Sequence, residues 1–273
     1  MISGPDTPFG SEDVPEVNLD RSPLVEVLAQ VRFPAIMGLS RGDSLIDFQN
    51  ALRREYPVLR QEQQTVVVIA SQGLATAPQD TTDTLWRFSD GEGTWTLTVA
   101  PNFIALDTKR YRSREDFFER LERALAAFEE HVSPVLYDRL GVRYVNRLSE
   151  PAQLERLPSL VRPQVLGFLS ATQGEPPPKV VTAQCAIEYE LPEGRLLVRS
   201  ALLPPRSTYD PSVQPTDSSS WLLDIDMSTR LDAPSPFDAT LLAASGRRFG
   251  GRIYRFFRWS MTDEFMREAG PRP

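Results

Sequence analysis

The side chains able to do chemistry in this chain fall into three groups. In WLLDIDM, Asp224 and Asp226 stand two residues apart, a spacing that on a strand turns both carboxylates to one face, where they could share a hard cation such as Mg²⁺. Glu188 and Glu190 in AIEYEL repeat the alternation, and were the two strands neighbours, four carboxylates on one face would need cations or arginines beside them. The competing reading buries Trp221, Leu223, Ile225 and Met227 and leaves the acids in water. The second group, Arg139, Arg143 and Arg147, shares a strand face with Gly141 and Val145 over about 26 Å. Such a row could grip phosphates or carboxylates bidentately, or pair with the acidic face and hold the sheet together. Arg32, at a matching place on an earlier strand, would extend it. The third group is RRFGGRIYRFFRW, residues 247–259, with five arginines among five aromatics. On a helix, Phe249, Ile253, Phe256 and Phe257 would face the core, with Arg248, Arg252 and Arg255 along the flank. That flank suits RNA, a membrane surface or an acidic partner, or simply solvated arginines.

Other chemistry lacks its residues. With one histidine, His131, and one cysteine, Cys185, neither a zinc site nor a Cys-His pair assembles in the usual way. A Ser-His-Asp triad would depend wholly on His131, and no nucleophile elbow lies near it. There is no GxxxxGK[ST], and Gly246, Gly250 and Gly251 follow no expected strand, so phosphate-cradling loops drop out. The reading is therefore a non-enzymatic binding protein with no catalytic residue, metal or cofactor assigned. Its binding residues are Arg32, Arg139, Arg143, Arg147, Arg248, Arg252 and Arg255. The alternative is a metal-dependent phosphodiesterase or nuclease using Asp224, Asp226, Glu188 and Glu190. A nucleotide sensor with a groove between two halves is a third.

Composition narrows the partner. Against 30 basic residues stand 37 acids, a net charge of −7, which argues against a protein that coats nucleic acid; a protein partner or a small anionic ligand is expected instead. Only Lys109 and Lys179 are lysines, an arginine bias that fits a GC-rich genome. The lone Cys185 excludes a disulfide within the chain, no basic-then-apolar leader is apparent, and the longest apolar runs fall short of the roughly 20 residues a spanning helix needs. A cytoplasmic protein without a membrane span is expected.

The elements that must position these groups follow from periodicity and punctuation. Residues 1–22 carry prolines, glycines and five acids without an apolar pattern, which predicts a disordered acidic tail. PLVEVLAQVRFP reads as a strand. Ser44 and Asp47 resemble a capping box before Leu45, Phe48, Leu52 and Tyr56 at helical spacing. Strands are expected at TVVVIA (65–70), LWRFSD (85–90) and WTLTVAPNFIALDT (95–108), then a helix opened by Ser113 and Asp116. After Pro134 the order repeats: a strand at 136–148, a proline-interrupted helical stretch at 154–169, a hairpin at 184–203, a strand at 221–227, a long helix from Phe237 to Trp259 and a short one capped by Thr262. This predicts an α+β fold of two similar halves, 23–134 and 135–273, each an antiparallel sheet with a long helix on one face. Val31-Arg32-Phe33 against Val142-Arg143-Tyr144, and Trp95-Thr96-Leu97 against Trp221-Leu222-Leu223, match in short strings. The Pro- and Ser-rich loop 204–220 reads as either a lid or a linker.

The strings PLVEVLAQVRFP, YPVL and RLGVRYVNRL resemble those of a sporadically distributed, functionally uncharacterised bacterial family of about this length. The resemblance spans most of the chain and carries no catalytic signature. It implies an accessory gene, as in defence or toxin-antitoxin systems.

Overall fold

Apolar residues at alternate positions make LVEVLAQVR a strand with one buried side, and the pattern recurs in RLGVRYVNRL and GRLLVRSALL. A computed structural model describes residues 4–10, 14–66, 81–171, 178–229 and 231–271. β1 (Leu24–Arg32) leads through two 3₁₀ turns into α1 (Ile46–Leu52); β2 (Val58–Val66), β3 (Thr81–Ser89), β4 (Trp95–Ala100) and β5 (Phe103–Thr108) form a meander before α2 (Arg114–Val132). The short β6 (Leu136–Tyr137) precedes β7 (Arg139–Leu148), and the prolines expected to interrupt the next stretch divide it into α3 (Pro151–Glu155), α4 (Leu157–Leu160) and α5 (Pro163–Leu166). β8 (Ala183–Leu191), β9 (Gly194–Leu203), β10 (Ser220–Ser228), β11 (Ser235–Pro236), α6 (Ala239–Ser260) and α7 (Asp263–Ala269) complete the chain.

The α+β class is as expected, but one sheet replaces two. β1 and β7 pair antiparallel at its centre, from Val27 opposite Tyr144 to Arg32 opposite Arg139, giving the order β2-β3-β4-β5-β1-β7-β10-β9-β8. The boundary drawn at 134/135 thus crosses a single hydrogen-bonded ladder. A strand, a helical stretch, further strands and a long helix follow on either side of it, but four strands of the sheet make up the first run and three the second, so the order repeats only in outline. One of the two string matches does not hold: Trp95 opens β4, which is separated from β1 by β5, whereas Trp221 opens β10, the direct neighbour of β7.

Local chemistry accounts for most boundaries. Ser113, Asp238 and Thr262 each accept a backbone N–H bond at the start of α2, α6 and α7. Ser44 does not cap α1, which begins later, behind a 3₁₀ turn. WTLTVAPNFIALDT folds back at Pro101-Asn102 into β4 and β5, because proline cannot continue the ladder. Of TVVVIA, Thr65 and Val66 end β2, and 67–70 lie outside the described residues.

All long helices pack on one side of the sheet. Phe117, Phe118, Leu121, Leu125 and Phe128 of α2 and Phe249, Ile253, Phe256 and Phe257 of α6 meet Val142 and Tyr144 of β7 and Leu223 and Ile225 of β10 in one core. The glycines that interrupt α6 allow this: a Cβ on Gly250 would stand 2.7 Å from the Phe118 ring and 3.1 Å from the Tyr144 hydroxyl. Among the described residues no helix is long and apolar enough to cross a membrane.

Residues 4–10 and 14–22, expected to be disordered, instead lie against α6, α7 and the start of α2. The Val17 N–H donates to the Tyr254 hydroxyl at 2.8 Å, Glu16 accepts from Tyr111 and from the Arg114 N–H, and Leu19 bridges to Pro271. The segment needs no core of its own because it borrows this surface. Among the described residues no helix covers the opposite side of the sheet, which holds most of the polar strand positions and a small apolar cluster.

Candidate functional site

On this open face the arginine row appears as expected, with Arg139, Arg143 and Arg147 on one side of β7, half-buried, and the intervening Leu140, Val142, Tyr144 and Leu148 turned into the core. Its charge, however, is answered from within. β10 lies beside β7, and Arg143 forms a fork on the fully buried Asp224 at 2.8 and 2.9 Å. Its remaining donors reach Asp210 and Ser212 at 2.9 Å each. Asp224 also accepts from Arg199 of β9 at 3.1 Å and from the Tyr209 hydroxyl at 2.9 Å. Burial alone would lower the Arg143 pKa, but the Asp224 hydrogen bonds and charge hold it above the ordinary arginine value. The Tyr209 phenol is pushed up by burial and by the Asp224 charge. A buried carboxylate with two guanidiniums and a phenol is a satisfied network, so Arg143 is unavailable for a ligand.

The rest of the row is engaged less tightly. Arg139 bends over Gly141, where a Cβ would sit 2.6 Å from its Nη1, and reaches Asp226 at 3.4 Å. Arg147 donates to the Gln214 carbonyl at 2.6 Å, and burial lowers its pKa. Arg32 is exposed and stands opposite Arg139 across β1 and β7.

The carboxylate set of the alternative reading is not brought together. β9 separates β8 from β10, placing Arg195 and Arg199 between Glu188 and Glu190 on one side and Asp224 and Asp226 on the other. Among the described residues no group of three or more His, Cys, Asp or Glu side chains could hold a metal ion. A cation at Asp224 would have to displace three donors.

The loop 204–220 is fastened by the same network. Tyr209 and Asp210 meet Asp224 and Arg143, while Val213 enters a small second core with Val145, Ala201, Leu203 and Leu222. Between this pinned loop and strands β1, β5, β4 and β3 runs a groove of about 460 Å³, within the size range of small-ligand sites. Its walls include Ser212 and Gln214 from the loop and Gln30, Thr96 and Thr98 from the strands.

Two carboxylates give the groove its character. Glu26 of β1 and Asp107 of β5 line it, both half-buried, and neither side chain has a hydrogen bond or ion pair among the described residues. Burial and the neighbouring Glu26 charge raise the Asp107 pKa to about 6, outweighing Arg87 and Lys109. Glu26 is also raised, chiefly by burial, against the pull of Arg143 and Lys109. Arg87, on the rim, already bonds Glu62 at 2.7 Å. Sequence reasoning missed both acids. Their signal was present, since Glu26 and Gln30 fill the polar positions of LVEVLAQVR and Asp107 interrupts the apolar run FIALDT, but nothing in the sequence placed β5 beside β1.

The basic helix α6 also departs from expectation. Arg248 is exposed, bonding Ser245 at 2.8 Å. Arg252 bonds Glu193 and donates to the Gly10 carbonyl at 2.6 Å, and Arg255 is buried, its Nε donating to the Thr7 carbonyl at 3.1 Å. Arg252 and Arg255 thus face the chain's own N-terminal segment, whereas Arg248 bonds within its own helix. Comparison with family models, curated proteins and solved structures finds no match.

Proposed function

We propose that this chain is a binding protein whose recognition surface is the open face of its sheet, and that the ligand enters the groove beside the loop 204–220. The supporting observation is the Glu26 and Asp107 pair, two carboxylates half drawn out of water with no hydrogen bond or ion pair among the described residues, whose burial outweighs the pull of Arg87, Lys109 and Arg143. Burying ionised carboxylates is costly, and a ligand that brings a cation into direct contact with them recovers part of that cost on binding. The ligand class is therefore a small amine or guanidine with hydrogen-bonding groups for Gln30, Thr96 and Thr98, in place of the anion that a free arginine row would select. Lys109 at the rim suits a carboxylate on the same ligand.

Thermal-shift measurements at pH 8 with a panel of amines, amino-acid amides and polyamines, against a panel of phosphates and carboxylates, test this. Amines should raise Tm in the native chain and leave Asp107→Asn unmoved. Stabilisation by anions alone, or equal amine shifts in both proteins, would refute it.

The raised Asp107 carboxyl favours a second reading, in which it exchanges a proton with a bound substrate. That reading requires turnover of a bound ligand, with a pH dependence centred near 6 and lost in Asp107→Asn.

A further inference from the structure

The contacts of the N-terminal segment have the form of peptide recognition. Arg255 and Arg252 of α6 donate to the Thr7 and Gly10 carbonyls, so they hold backbone rather than particular side chains. Phe9 adds a ring contact: it stands edge-on to Tyr189 of β8 at 4.8 Å and 6.1 Å from Phe256 of α6, while Leu19 packs against the core. Gly4 lets the backbone lie directly on the helix, and Gly10 leaves room for the Arg255 guanidinium. A Cβ on Gly10 would stand 2.1 Å from Arg255 Nη2, and one on Gly4 would stand 2.7 Å from the Arg258 carbonyl oxygen.

Further along, Glu16 accepts from the Arg114 N–H at the start of α2 at 2.8 Å, and from Tyr111 at 2.7 Å. Charge agrees with this placement. Residues 1–22 contain five acids and one base, while residues 247–259 contain five arginines and no acid. The segment is only half covered, with Asp6, Thr7 and Phe9 exposed, Phe9 at 40%. It adds no strand to the main sheet. An acidic, proline-bearing chain held at its backbone by arginines and by ring contacts with Tyr189 and Phe256 is thus the chemistry this surface selects.

We propose that the surface formed by α6 with β8, the start of α2 and the end of α7 is a peptide-binding site whose resident occupant is the chain's own residues 4–10 and 14–22, held reversibly, so that the same segment supplied from outside competes for it. The site is separate from the groove on the opposite side of the sheet, and neither depends on the other.

Two measurements on the full chain test it. Hydrogen exchange of the unaltered protein reads reversibility. The Val17, Asp20 and Arg21 amides, bonded to Tyr254, Gly270 and Ala269, should exchange by local opening about a hundredfold faster than the central β7 amides. Exchange of both sets at one common rate would overturn the proposal. The second measurement titrates a fluorescent peptide spanning residues 4–22 into the native chain and into Phe9→Ala/Glu16→Ala. A site masked in cis loses apparent affinity by its occupied fraction, so weakening the resident arm should tighten peptide binding by about tenfold. Adding Arg252→Ala and Arg255→Ala should abolish that gain. A folded Phe9→Ala/Glu16→Ala chain that binds the peptide no better than the native chain would also overturn it.

Discussion

Two carboxylates on the same face of the same sheet, Asp224 on β10 and Asp107 on β5, have opposite surroundings. Asp224 is wholly buried and answered by Arg143, Arg199 and Tyr209; Asp107 is only half-buried yet faces Glu26 and has no ion pair among the described residues. The more buried acid is the better satisfied one. Depth alone therefore does not decide how a buried carboxylate fares; direct pairing does, because burial without a contacting partner leaves a desolvation cost unrecovered.

The largest effect should come from breaking the satisfied side. Asp224→Ala leaves two guanidiniums and a phenol without their acceptor, and urea denaturation should show a loss of about 3–5 kcal/mol. The unsatisfied side should respond in the opposite sense. The folded chain holds a proton on Asp107 to a higher pH than the unfolded chain does, so its stability should fall as pH rises from about 4 through about 6 and level off above. Asp107→Asn removes that penalty and should gain about 1–2 kcal/mol at pH 8 and nothing at pH 4. Tyr209→Phe deletes one hydrogen bond between the loop and Asp224, at a cost of about 1 kcal/mol. The amides of 204–220 should then exchange faster, and an unchanged pattern would show that the Val213 core and the bonds of Arg143 and Arg147 hold the loop without Tyr209. The smallest change is expected from Arg139→Ala, whose 3.4 Å contact to Asp226 is long and partly solvated, at about 0.5 kcal/mol or less.

The elements were legible in the sequence where periodicity and caps speak locally: α2 begins behind Ser113, α7 behind Thr262, and prolines break the stretch after β7. The three midpoint arginines were correctly placed on one strand face, since a period of two is a local property. What occupied them was not legible. The acids that engage Arg143 lie 67 and 81 residues away, at Asp210 and Asp224, and only the pairing of β7 with β10 brings them there. The same limit hid the groove, because Glu26 and Asp107 become neighbours only through the antiparallel pairing of β1 with β5. The N-terminal segment was misread for a related reason: it has no apolar period of its own, and its order comes from a surface more than 200 residues away.

The contrast between the two carboxylates is tested most directly by following the Asp107 carboxyl ¹³C resonance as pH is varied in the native chain. A midpoint near 6 would show an acid held out of water without a counter-charge, as the groove requires. A midpoint near 4, the ordinary aspartate value, would mean that solvent or a nearby cation already satisfies Asp107, and the proposed binding site would lose its basis.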